Sequence, residues 1–151
     1  MRKISVCPGT LATGYDKYSP SCIRNMYNGV NVSHILDFSY DAEHTDFADA
    51  VNHISISGAQ EKLSAVIKNK KICLTQADEH GRYIIKPAPG DERLRFRRQM
   101  PANEHLTMQI AKQVYKIKTA ESAIAFFVDD KITYITKRFD YNTDGTKIAQ
   151  E

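Results

Sequence analysis

"LSAVIKNKKICLTQADEHGRYIIKP", residues 63–87, decides the fold. Leu63-Ser64-Ala65-Val66-Ile67 is apolar and branched, Asn69-Lys70 interrupts it, and Lys71-Ile72-Cys73-Leu74-Thr75 returns with the same character. Two branched runs around a short polar break predict a β-hairpin. Ala77-Asp78-Glu79-His80-Gly81 is a second polar turn, and Arg82-Tyr83-Ile84-Ile85-Lys86 a third strand. Pro87 and Pro89-Gly90 end that strand, because proline brings no amide hydrogen to the ladder.

Beyond it, "DERLRFRRQM" (91–100) is rich in arginine and has no period. Charged loops of this kind are usually solvated, so no direct nucleic-acid binding is expected from Arg93, Arg95, Arg97 and Arg98. A helix is predicted next. Asn103 is its expected N-cap, and Glu104 suits the positive end of the helix dipole. Leu106, Ile110 and Val114 share one face at helical spacing, with Met108 and Ala111 beside them. After Lys116 a second hairpin follows: Ala123–Val128, a turn at Asp129-Asp130-Lys131, and Ile132–Thr136. The order β, β, β, α, β, β predicts an α+β fold, an antiparallel sheet with one main packed helix.

Residues 1–50 read differently. Pro8-Gly9, Gly14, Ser19-Pro20 and Asn28-Gly29 punctuate them with turns, Ile35–Phe38 is a short strand or a packing turn, and Phe47–Val51 a brief helix. The expectation is an irregular extension over 1–50, packed on a domain over 51–151.

Composition narrows the class. A hydrophobic share of 42% with 26% charged residues is that of a soluble globular protein. The net charge of +3 permits a phosphate-bearing ligand without calling for nucleic acid. No apolar run approaches the roughly 20 residues of a membrane span, and the basic start lacks a signal-peptide core. Cys7, Cys22 and Cys73 are too few for a disulfide framework, which suits a reducing, cytoplasmic setting. Cys7 and Cys22 with His34 could be the remains of a metal site. Structural zinc wants four ligands in close pairs, so two unpaired thiols are the preferred reading.

The element order is also that of a kinase small lobe. Such a lobe needs a small-residue turn for phosphates, a strand lysine, a helical glutamate and a hinge strand. Ser57-Gly58-Ala59-Gln60 is the turn: either a phosphate cradle, whose small residues let backbone amides approach an anion, or an ordinary hairpin. Lys86 ends the third strand, as a phosphate ligand or a snorkelling edge lysine. Glu104 is either its ion-pair partner or a plain dipole partner. Arg138-Phe139-Asp140 follows the last strand, where a hinge would lie. The four in sequence order are less expected by accident than any one.

The wording goes further. "SISGAQEKLS", "YIIKP", "PANEHLTMQIA" and "YITKRFDYNTDGTKIAQE" resemble the HipA-like serine/threonine kinases of bacterial toxin–antitoxin systems, and most of all their short-headed HipT-type branch. The resemblance covers about residues 54–151. It implies that the backbone of Gly58, Ala59, Gln60 and Glu61 lines the phosphates of ATP, and that Lys86 contacts them while paired with Glu104. It implies that Lys137 and Phe139 meet adenine through main-chain groups, with Asp140 near the ribose. Ser55 and Ser57 match sites of autophosphorylation. The implied partners are a HipB-type DNA-binding antitoxin, a small HipS-like protein replacing the missing head, and a protein substrate such as an aminoacyl-tRNA synthetase. The family's catalytic aspartate, its paired asparagine and the aspartate that holds Mg2+ belong to a large lobe beyond residue 151. No catalytic residue is therefore assigned here, and the chain alone is expected to be inactive. The alternative is a free-standing, non-catalytic regulatory module with the same lobe fold.

Overall fold

A computed structural model describes residues 3–40, 61–76, 78–141, 146 and 148. The strands are β1 (Leu63–Lys68), β2 (Lys71–Leu74), β3 (Tyr83–Pro87), β4 (Ser122–Phe126) and β5 (Ile132–Lys137). The helices are α1 (Pro20–Tyr27) and α2 (Met100–Gln113). The sheet order is β2-β1-β3-β5-β4, every pair antiparallel. The expected α+β fold is observed.

The first hairpin turns where its sequence bends most easily. Asn69 and Lys70 both have positive φ, 50° and 63°, which matches the twist of the flanking strands. Register then sorts the side chains. Leu63, Ile85, Ile135 and Ala123 stand opposite one another across four strands and share one face. Strand alternation puts Lys86, Tyr134 and Ser122 on the other. The first face is covered by the leading segment. Tyr18, Cys22, Met26, Tyr27, Val32 and Leu36 are buried in one apolar cluster with Leu63, Ala65, Ile85 and Ile135.

That segment is largely irregular, as expected, but it carries one short helix that its turn-rich sequence hides. Ser19 and Pro20 start a helix: the Ser19 hydroxyl accepts the Cys22 amide at 3.2 Å, and Pro20 occupies the first turn, where no donor is needed. Asn28 ends it in the left-handed conformation, φ 52°. The chain then runs beside β4. Leu36 donates to the Phe126 carbonyl at 2.7 Å, Phe126 to His34 at 2.8 Å, and Val128 to Phe38 at 3.2 Å. Ile124 donates to Pro8 at 2.8 Å. The outer edge of β4 is thus paired from two directions.

α2 covers the opposite face and differs from its prediction in two ways. It begins at Met100 after a single 3-10 turn, Arg97–Gln99, with Gln99 at the N-cap and Pro101 in the first turn. Asn103 is therefore inside the helix, and its carbonyl accepts the Thr107 hydroxyl at 2.8 Å. The buried side is Pro101, His105 and Gln109, whereas Leu106, Ile110 and Val114 are exposed. The physical reason lies in the sheet, whose α2 face offers polar partners, Ser122 and Lys86, that an apolar stripe would leave unsatisfied. Among the described residues no helix is long and apolar enough to cross a membrane.

Candidate functional site

β3 and α2 meet at a charged pair. Lys86 is the fourth residue of β3 and points to the α2 face, where its Nζ donates to Glu104 Oε1. The Tyr134 ring on β5 lies 5.3 Å from the same ammonium. The Lys86 side chain keeps 21% of its surface exposed, so an ammonium hydrogen remains available to an anion. Glu104 is held at its place in the helix by the neighbouring turn. His105 is 2% exposed and its Nδ1 lies 3.1 Å from the Ser122 hydroxyl on β4, with the Tyr134 ring beside it. Burial lowers the His105 pKa to about 4, which keeps the imidazole neutral beside the charged pair.

The strand that leaves the sheet is braced on both sides. The Lys137 amide donates to Glu121 at 2.8 Å, and its ammonium reaches the C-terminal end of α1, at Asn25 O (3.1 Å) and Asn28 Oδ1 (2.6 Å). Cations are favoured at that end of a helix. Arg138 holds Asp140 through two hydrogen bonds, 2.9 and 2.5 Å, and its guanidinium lies 4.7 Å from the Tyr141 ring. Phe139 is 76% exposed. Glu61, just before β1, is half-buried, and burial raises its pKa.

A family model described as HipA-like C-terminal domain matches residues 54–151, almost two thirds of the chain. The chain belongs to that family. Among curated proteins, none matches it.

Within this HipA-like chain, the structure brings Lys86 and Glu104 together. Lys137 ends β5 and Phe139 and Asp140 follow it, Lys137 turned toward α1 and Asp140 clasped by Arg138. Ser55, Ser57, Gly58, Ala59 and Gln60 lie outside the described residues, as does the short helix predicted at Phe47–Val51. Cys7 and Cys22 converge without His34, whose ring packs edge-on against Tyr18 and Phe126. Among the described residues no three His, Cys, Asp or Glu side chains are placed to hold a metal ion. Of the arginine run, Arg93 pairs with Asp91, and Arg97 binds the Pro89 and Gly90 carbonyls and Glu92. Tyr134, His105 and Ser122 were not singled out from the sequence. The signal was there in the four-residue spacing of Pro101, His105 and Gln109, which marks a second helix face.

Proposed function

We propose that this chain is the nucleotide-binding small lobe of a HipT-type serine/threonine protein kinase. The observation that carries the reading is the ion pair between Lys86 on the third strand and Glu104 on the helix packed against the sheet. A lysine held this way presents its charge to phosphate oxygens without collapsing onto its own backbone, and the carboxylate fixes its position.

In this reading the Ser57–Gln60 turn supplies backbone amides to the phosphates of ATP, and Lys86 neutralises them. Main-chain groups of Lys137 and Phe139 meet the adenine edge, and Asp140 faces the ribose. Mg2+ would be held mainly by residues of a large lobe. The reaction moves the γ-phosphoryl group to a serine or threonine hydroxyl of a protein, for which an aminoacyl-tRNA synthetase is the expected class. Ser55 and Ser57 are the proposed sites of self-modification, where a phosphate would bring about two negative charges into the nucleotide's own loop and expel it. A HipB-type antitoxin and a small HipS-like protein are the proposed partners.

The test is calorimetric titration with ATP and Mg2+. Lys86→Ala should weaken binding by about tenfold or more, the loss expected for a charge-assisted hydrogen bond. Equal affinity in the wild type and Lys86→Ala would remove the basis for the reading.

A further inference from the structure

The leading segment carries a second cluster, beside the β4 edge of the sheet. Cys7 Sγ accepts the Ser19 amide at 3.2 Å and the Thr10 amide at 3.4 Å, and Cys22 lies within hydrogen-bond reach of it. Both cysteines are buried, and neither is in a disulfide. The backbone makes room for them. A Cβ at Gly9 would stand 2.2 Å from Cys22 Sγ, so only glycine fits there. Each cysteine is also anchored. The carbonyl of Pro8 accepts the Ile124 amide of β4, and Cys22 lies in the first turn of α1, its amide on the Ser19 cap.

Access comes from a cavity of about 200 Å³ lined by Gly9, Thr10, Cys22, Lys112, Gln113 and Glu121. Gln113 is exposed and its side-chain amide donates to the Thr10 carbonyl at 2.8 Å, and Lys112 and Glu121 form an ion pair on the cavity wall. The hydrogen bond from Cys22 lowers the Cys7 pKa to about 4 against the effect of burial, and the same bond raises that of Cys22. The bond thus favours the thiolate on Cys7 and keeps the proton on Cys22.

We infer that Cys7 and Cys22 are a redox-active pair that closes to a disulfide when a hydroperoxide enters this cavity. The Cys7 sulfur, which carries no proton, attacks the O–O bond. An S–O bond forms and hydroxide leaves. The Cys22 sulfur then attacks Cys7, the S–O bond breaks, and the departing hydroxide takes the Cys22 proton as water. Both sulfurs are oxidised, and the peroxide oxygens are reduced to water and hydroxide. The product ties the loop on β4 to α1, the helix whose end holds Lys137.

The experiment treats the folded protein with hydrogen peroxide, alkylates the remaining thiols after denaturation, and maps the peptides by mass spectrometry. A Cys7–Cys22 cross-link should appear, with Cys73 still alkylated and dithiothreitol restoring all three thiols. Cys73, half-buried on β2, is the internal control, and Cys73→Ser should give the same cross-link. Three results would each overturn the inference: Cys7 and Cys22 alkylated after peroxide as before it, a cross-link that involves Cys73, or zinc released in proportion to the two thiols.

Discussion

Glu104 reaches Lys86 from the residue that immediately precedes His105, so the turn of α2 that forms the ion pair is the turn that inserts an imidazole between helix and sheet. The charge pair is held by burial next to it and does not depend on two long side chains finding each other in solvent.

Because they act through one contact, Lys86→Ala and Glu104→Ala should weaken nucleotide binding by similar factors, and the double variant should lose little more than either. A coupling of about 0.5–3 kcal/mol is the range for contacting residues. A titration series across the four proteins measures it. Losses that simply add on a logarithmic scale would show that the two side chains act separately.

His105 makes stability depend on pH. Its ordinary pKa near 6.5 in the unfolded chain falls to about 4 in the folded one. Between those values the unfolded state binds more protons, so stability rises with pH through the window and is level above it. The span is about 3 kcal/mol at most. His34, also lowered by burial, acts in the same direction. Denaturant melts at pH 4.5 and 7.5 should therefore differ less for His105→Gln than for the wild type. An unchanged difference would mean that His105 is not buried as a neutral ring.

The two helices should answer truncation in opposite ways. Met26 on α1 is 1% exposed and Leu106 on α2 is 48% exposed. Met26→Ala should cost about 2–5 kcal/mol as a cavity in the core. Leu106→Ala should stay within about 0.5 kcal/mol, the range of surface changes. Urea unfolding of both variants tests the assignment of the buried faces, and a reversed order would refute it.

Lys70 takes the second left-handed position of the first hairpin without being glycine. Lys70→Gly should raise stability by about 0.5–1 kcal/mol, since an L-residue costs about 1–2 kcal/mol there and glycine loses about 0.5–1 kcal/mol of that to chain entropy. Lys70→Val should lower it, because branching is worst tolerated at positive φ. Thermal melts of the three proteins would show the order.

Much of the sheet was legible because strands announce themselves locally. Leu63–Ile67, Asn69-Lys70 and Tyr83–Lys86 each carry their own signal, and the observed strands follow them within a residue or two. The helix face was misread for a physical reason. Periodicity finds the apolar stripe at Leu106, Ile110 and Val114, but the sheet beneath α2 selects His105 and Gln109, and that choice depends on Ser122, which is distant in sequence. α1 was hidden because Ser19-Pro20 and Asn28-Gly29 are as much turn signals as helix boundaries. Of the site, Lys86 and Glu104 could be paired only through the order of elements and the family resemblance, since nothing local joins residues so placed.

The pairing of β4 with Pro8, His34, Leu36 and Phe38 also governs how the chain behaves toward copies of itself. An uncovered edge strand is a template for the next chain, and ordered aggregates grow from such edges. Here the amides of Ile124 and Phe126, and of Val128 just past the strand, are already taken by the protein's own leading segment. That segment is thus a built-in guard against strand addition, and clipping it away would leave the sheet with an adhesive border.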